Sequence, residues 1–401
     1  MSQINTFNIK KILFLAVLLF TFSLASTGQS KFITITGKIT SAKDNVPLIG
    51  VHVTYSDYRY GTVTNEEGLF QIKVSDNAIG DTLIFSFMGF ANSKVLIDKE
   101  LLKRKTLDVK LKAVTFGLSA IEVEDITAEE IIKRARDRIA DNYLTTPHKI
   151  IGFYREENIQ QDIKQSILFT EGVLEIKRSK LYKNRDYIDD KVGLLKGYKR
   201  NLPYQLIYQD SIYAITPISQ GAYVPVLVDA IRSKYFLFNK NYFRFHNYER
   251  VGIDFIDNRV LYKIAFKPKR RSHFSIYEGI LYIDKNTFAV VKADFHFTPH
   301  GIYLNEQSNS TNLKLKNRNF SAQYFEYDGH WYLEQASVRQ VFMEEETQVP
   351  VSVKMDYVTT EVLPKERKLN AKQQLKFNDV MAESVGEVDA NFWEDYIIIK
   401  K

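Results

Sequence analysis

Pro47-Leu48-Ile49-Gly50-Val51, followed after a short connection by Gly61-Thr62-Val63-Thr64-Asn65-Glu66-Glu67-Gly68-Leu69-Phe70, is the stretch on which the fold turns. Asp44-Asn45-Val46-Pro47 is a turn, because Asp and Asn bond their own backbone and Pro presets φ. Val51, Val53 and Tyr55 then share one side of a strand. Asp57 to Gly61 turns the chain into Thr62-Val63-Thr64, and Asn65 to Gly68 forms a tight turn with Gly68 where positive φ is needed. Leu69, Gln71 and Lys73 oppose Phe70, Ile72 and Val74 in the strand that follows.

Working outward, Lys31 to Ser41 alternates with period two, and Leu83 to Phe87 follows Gly80-Asp81. Val95-Leu96-Ile97 and the alternating Leu107, Val109 and Leu111 bring the expectation to about seven short strands, a β-sandwich over residues 30–115. The pattern Gly37…Pro47-Leu-x-Gly50-Val51…Gly61-Thr62-x-Thr64-x-x-x-Gly68-x-Phe70…Leu83-x-Phe85-x-x-x-Gly89-Phe90 resembles the carboxypeptidase-regulatory-like domain. That resemblance covers about one fifth of the chain and implies a prealbumin-like, carbohydrate-binding-like sandwich without enzymatic activity, common in envelope proteins of Bacteroidetes. Asn65 stands where the family usually has Asp, and Phe90 where it usually has Tyr.

The chain has 401 residues, which predicts two domains plus accessory pieces. With 45% hydrophobic and 26% charged residues it is globular, and 24 Tyr and 27 Phe against 9 Pro favour β-structure. A net charge of +7, spread along the chain, is too mild and diffuse to argue for nucleic acid, and no nucleic-acid partner is expected. Lys10-Lys11, the apolar run Ile12 to Ala25 and the small residues Ser26-Thr27-Gly28 predict a signal peptide over 1–28. An uncleaved anchor is the competing reading, but the run is short for a span, and no transmembrane segment is expected in the mature chain. With no Cys there is neither thiol chemistry nor a lipidated N-terminal Cys. The predicted location is the periplasm or the periplasmic face of the outer membrane.

Residues 125–401 are expected to form a second domain. Thr127-x-x-Glu130 is a capping box, and Ile131, Ile132, Ala135, Ile139 and Tyr143 make Thr127 to Asn142 an amphipathic helix. Its basic face could meet anionic lipid, although interleaved Glu129, Glu130, Asp137 and Asp141 suit a solvated surface. Lys177 to Arg200 has little alternation and is expected to be a loop, and Val224 to Phe236 a second helix with Pro225 in its first turn. Alternating runs at 251–255, 260–266, 279–283, 289–297, 322–327, 332–342 and 351–357 predict a large antiparallel sheet with one covered face. Asp328-Gly329 marks a two-residue hairpin. The grammar Tyr277-Glu278-Gly279-x-Leu281-Tyr282-Ile283-Asp284-x-x-Thr287-x-x-Val290, with Asp328-Gly329-x-Trp331-Tyr332, is similar to the outer-membrane lipoprotein-sorting carriers. The resemblance implies a sheet curled around one or two helices on its concave face, with an acyl-binding cavity between. A membrane barrel is the competing architecture, but two helices would interrupt it. The tail Asn391 to Tyr396 is expected to clip back onto the domain.

No Gly-x-Ser-x-Gly, P-loop or Gly-x-Gly-x-x-Gly occurs, and no cofactor, catalytic residue or metal ligand is assigned. His246-x-x-Glu249 matches half a zinc site without a placed third ligand, and Pro299 keeps His296 and His300 off one helix. Glu156 and Glu157 would suit a glycosidase pair, but strand neighbours face opposite ways. Glu344-Glu345-Glu346 is a charge run at a turn, and Lys267-Pro268-Lys269-Arg270-Arg271 a basic hairpin tip that could meet phosphate headgroups. The expectation is a non-enzymatic envelope binding or assembly protein that holds an amphiphilic ligand or a partner protein in the second domain. The alternatives are a periplasmic hydrolase around His246 and Glu249, and an adaptor docking through the sandwich.

Overall fold

The computed structural model describes residues 32–55, 61–65, 67–75, 77–87, 89–114, 126–181, 189–199, 202, 204–215, 221–233, 236–256, 259–269, 276–307, 312–365, 369 and 371–385. The signal segment, the link 115–125, the tip 270–275 and the aromatic tail lie outside the described residues. The N-terminal strands are β1 (Phe32–Ser41), β2 (His52–Tyr55), β3 (Gly61–Val63), β4 (Leu69–Ser75), β5 (Thr82–Ser86), β6 (Ser93–Leu96) and β7 (Val109–Leu111). They form two sheets, β4-β1-β7 and β3-β2-β5-β6. Ile35, Ile39, Val53, Phe70, Ile72, Leu83 and Phe85 fill the space between them, and Phe70 meets Phe85 edge-on at 5.6 Å.

The turn at 65–68 shows why Asn serves in place of Asp. The Asn65 side-chain oxygen accepts from the amides of Glu67 at 3.0 Å and Leu69 at 2.8 Å. Gly68 has φ +74°, and a Cβ there would meet the Ile39 carbonyl at 2.5 Å. Helix α1 (Lys99–Arg104), capped by Asp98, was not expected from the sequence.

The second domain is one ten-stranded antiparallel sheet in the order β10-β9-β8-β19-β18-β17-β16-β15-β14-β13. Its strands are β8 (His148–Gln160), β9 (Gln165–Arg178), β10 (Lys191–Lys199), β13 (His246–Ile256), β14 (Arg259–Pro268), β15 (Tyr277–Asp284), β16 (Val290–Phe297), β17 (Leu313–Tyr327), β18 (His330–Glu344) and β19 (Pro350–Leu363). A separate hairpin, β11 (Gln205–Tyr208) and β12 (Ser211–Ala214), is tied down by Gln160, whose side chain accepts from the Ile207 amide and donates to the Ile207 carbonyl. At Asp328-Gly329 both residues take positive φ, as a two-residue hairpin requires.

Thr127 caps α2 (Ala128–Asp137), its hydroxyl accepting from the Glu130 amide at 3.2 Å; a break at Arg138 separates α3 (Ile139–Asn142). Ile131, Ile132, Ala135, Ile139 and Tyr143 are buried against the sheet as the spacing predicts.

Two expectations are corrected. The stretch 177–200 is no loop throughout: β10 is an edge strand whose Gly193 and Gly197 accommodate Leu369 and Val385 of the C-terminal segment. The stretch 224–236 is helical only over α4 (Val224–Leu227), preceded by a 3-10 turn at Gly221–Tyr223. Asp229 ends it, because its carboxylate accepts from the amides of Ile231 and Arg232 and so competes with helical hydrogen bonds. Leu227 consequently faces solvent.

The sandwich rests on the large sheet. His52 Nδ1 lies 2.7 Å from Glu334 Oε1 of β18, the Gly89 amide donates to the Phe255 carbonyl of β13, and β3 lies against β19.

Candidate functional site

The inner face of the sheet was the expected ligand site, and it is filled. The α2–α3 helices and residues 221–233 and 236–239 pack on Ile150, Leu174, Ile264, Leu281, Val291, Ala336 and Val353. Beside Tyr143, His148, Arg178, Asp229, Arg232 and Tyr324 a cavity of about 20 Å³ remains, enough for one water molecule.

Charge holds this filling in place. Arg178, at the end of β9, reaches Asp190 at 3.0 Å and Asp229 at 3.4 Å, and donates to the Pro225 carbonyl. Arg232 grips Asp190 through two nitrogens, at 2.9 and 2.7 Å. The Asp190 carboxylate also accepts from the amide and hydroxyl of Ser179. Tyr324 donates to Asp229 at 2.9 Å. Burial alone would push the Asp190 carboxyl up, but Arg232 and Arg178 outweigh it and hold it well below the usual carboxylate range. Burial, with help from the same two arginines, pushes nearby His148 down to about 4, so its ring is neutral.

A second buried carboxylate has the opposite surroundings. Glu156, also on the inner face, is 2% exposed. Burial raises it to about 7, against the hydrogen bond donated by Tyr154 at 3.0 Å. Its other oxygen has no hydrogen-bond partner among the described residues. Its neighbour Glu157 pairs in register with Lys354 on the outer face, so the two carboxylates point apart as strand alternation requires.

The outer face of β13–β16 carries an open groove of about 510 Å³. In-register pairing places Glu249, Ala265, Ile280 and Asp294 in one row across four strands. Asn247, Lys267, Glu278 and His296 flank that row; His296 Nε2 meets Glu278 Oε1 at 3.0 Å. The result is an apolar floor of Ala265 and Ile280 between charged rims.

His246 is buried on the other face, its Nδ1 3.1 Å from the Tyr242 carbonyl oxygen and its ring against Phe266. It and Glu249 therefore stand on opposite sides of β13, and the hydrolase constellation is not assembled. His296 ends in a strand while His300 belongs to the helix Pro299–Gln307, so these rings too sit on separate elements. Glu344 is not simply solvated: it is buried and accepts from the Thr347 amide and hydroxyl and the Glu346 amide, organising the β18–β19 turn. Asp284 does the same for Asn286 and Thr287 in the β15–β16 turn. Among the described residues no cluster of three or more His, Asp or Glu could hold a metal ion, and no helix is long and apolar enough to cross a membrane.

Residues 35–123 match the family model of the CarboxypepD_reg-like domain. The matched region runs from within β1 to beyond β7 and includes the Pro47–Phe70 stretch. No curated protein matches the chain. Among solved structures it is similar to a LolA superfamily protein from Nitrosomonas europaea, at 13% identity over 62% of this chain and 96% of that one, TM-score 0.26. A DUF1329 family protein from Desulfovibrio piger matches at 12% identity over 58% and 91%, TM-score 0.26. A putative membrane-associated protein of unknown function from Bacteroides fragilis matches at 10% identity over 82% and 98%, TM-score 0.16.

Proposed function

We propose that the chain is a non-enzymatic cell-envelope binding or assembly protein that holds a charged-headed amphiphile in the outer groove of β13–β16. The observation that supports this most is the open space of about 510 Å³ on the outer face, whereas apolar side chains of α2, α3 and residues 221–233 pack on the inner one. A groove of that size suits a small ligand. Ala265 and Ile280 offer the apolar contact, and Lys267, Glu249 and Glu278 offer partners of both signs for a headgroup. Export to the periplasm, or to the periplasmic face of the outer membrane, is part of the same reading and is checked by fractionating cells that express the full chain.

The ligand test is a titration of the protein with lysophosphatidylethanolamine followed by native mass spectrometry. One lipid should bind, and Ile280→Asp, which places a charge on the groove floor, should weaken binding at least about 10-fold, the equivalent of about 1.4 kcal/mol. Equal binding by the variant, or none by either protein, overturns the groove assignment. Docking of a partner protein through the sandwich is the second reading. It is favoured by β6, which pairs only with β5 among the described residues and leaves Leu96 exposed at the sheet edge. A photo-crosslinker at Leu96 that captures no envelope protein would dismiss it.

A further inference from the structure

Residues 221–233 form a plug over the inner face, and its two ends are held by different physics. One end carries Asp229 and Arg232, locked into the ionised network with Arg178 and Asp190. The other end begins at Gly221, pressed against Glu156: a Cβ at Gly221 would lie 2.3 Å from Glu156 Oε2 and 2.4 Å from the Tyr154 hydroxyl. No side chain larger than hydrogen fits there while the plug is down.

The groups that face Glu156 are neutral. Tyr154 donates to it from its own strand. Thr170 of β9 and Met355 of β19 flank it in register. Tyr204, ahead of β11, is near enough for its own ionisation to be opposed by the Glu156 charge. Asn158, next on the same face, is buried and uncharged, and its side-chain oxygen has no hydrogen-bond partner among the described residues. Among the described residues neither Lys nor Arg contributes to the balance at Glu156. Among the described residues a carboxylate ion there would have one oxygen without a donor, which is costly in a buried site. Neighbouring strands are fixed by their ladders, whereas the Gly221 end of the plug is no part of the sheet and is held by the Tyr223 hydroxyl on the Leu375 carbonyl at 2.9 Å.

We propose that Glu156 is a proton-operated latch: neutral, it lets the plug close at Gly221, and ionised, it lifts that end and exposes the apolar inner face to an amphiphile. The charged network at Asp229 and Arg232, which also holds the Pro225 carbonyl through Arg178, stays paired and acts as the fixed end. Ala222, Tyr223 and Val224, buried residues of the Gly221 end, are the apolar surface that moves. The inner face is then a pH-gated site separate from the outer groove, and neither depends on the other.

The test is amide hydrogen exchange of the full chain at pH 5.5 and 8.5, corrected for the intrinsic chemical rate. With Glu156 near 7 when the plug is closed and at its ordinary 4.5 when open, the opening constant of residues 221–224 should rise roughly 30-fold across that range. Glu156→Gln, neutral at both values, should show no such rise. Gly221→Ala should raise exchange at pH 5.5 already, mimicking the lifted state. Identical profiles for the wild-type chain and Glu156→Gln, or a rise shared equally by the amides of β8 and β19, overturn the latch. Lysophosphatidylethanolamine binding that is lost in Ile280→Asp but unchanged in Glu156→Gln would separate the outer groove from the latch.

Discussion

Asp190 and Glu156 are both buried carboxylates beneath the same plug, and they titrate in opposite directions. Asp190 has two guanidinium groups and the Ser179 amide and hydroxyl around it, so it stays charged. Glu156 has one tyrosine hydroxyl and no cation among the described residues. The desolvation that both share therefore decides the outcome at Glu156 and is overruled at Asp190. Burial by itself does not say what a carboxyl does; the count of donors around it does. The same plug thus has a salt-bridged end that proton uptake disturbs only in strong acid and a neutral end that responds near pH 7.

The sharpest way to break this contrast is Arg178→Met, which leaves Asp190 and Asp229 short of a partner. Urea unfolding at pH 7 should show a loss of about 3–5 kcal/mol; a loss below about 1 kcal/mol would mean the network is not the fixed end. Next is Glu156→Gln. A carboxyl raised in the folded state binds more protons there than in the unfolded chain, so wild-type stability falls as pH climbs from 4.5 to about 7 and is flat above. The variant should be more stable at pH 8 by up to about 3 kcal/mol and indistinguishable at pH 4, as measured by thermal melts at both values. Tyr324→Phe removes a hydrogen bond to an ionised Asp229 and should cost about 1.5–3 kcal/mol at pH 7. Tyr154→Phe removes the corresponding bond to Glu156, which is largely neutral at pH 5. It should cost only about 0.5–1.5 kcal/mol and move the pH dependence upward. If the two tyrosine variants cost the same at pH 5, the distinction between the ends fails.

Much of the architecture was legible because local chemistry carried it. Thr127 with Glu130, Asp328-Gly329 and the period-two runs 260–266 and 289–297 each specify a cap, a turn or a face without reference to distant residues. The missed strands had little alternation to show. Strand β10 sits at the sheet edge with Gly193 and Gly197 matched to Leu369 and Val385, nearly two hundred positions away, and such a match leaves no local pattern to read. The first half of β17 carries Lys314, Lys316, Arg318 and Asn319, so its polar composition hid the strand. The buried network could not be read at all, since Arg178, Asp190, Asp229 and Arg232 are brought together only by the fold. At Glu156 alternation correctly separated it from Glu157, but nothing local said that its face would be closed over. Glu344 had a readable signal, the spacing to Thr347 that Asp284 repeats with Thr287; pairing each acid with the threonine three places on would have marked both turns.

The pairing of β8 with β19 has a consequence for how the protein is made. Gln160 meets Val351 and Lys149 meets Leu363, so the strand that opens the large sheet finds one of its two neighbours only at the far end of the domain. Strands β8 to β10 and β13 to β19 can each form locally as hairpins, but joining them closes a loop of roughly two hundred residues, and such non-local contacts slow folding. A ribosome delivering the chain from its N-terminus releases β19 after every other strand of the sheet, so the sheet is completed in one late step.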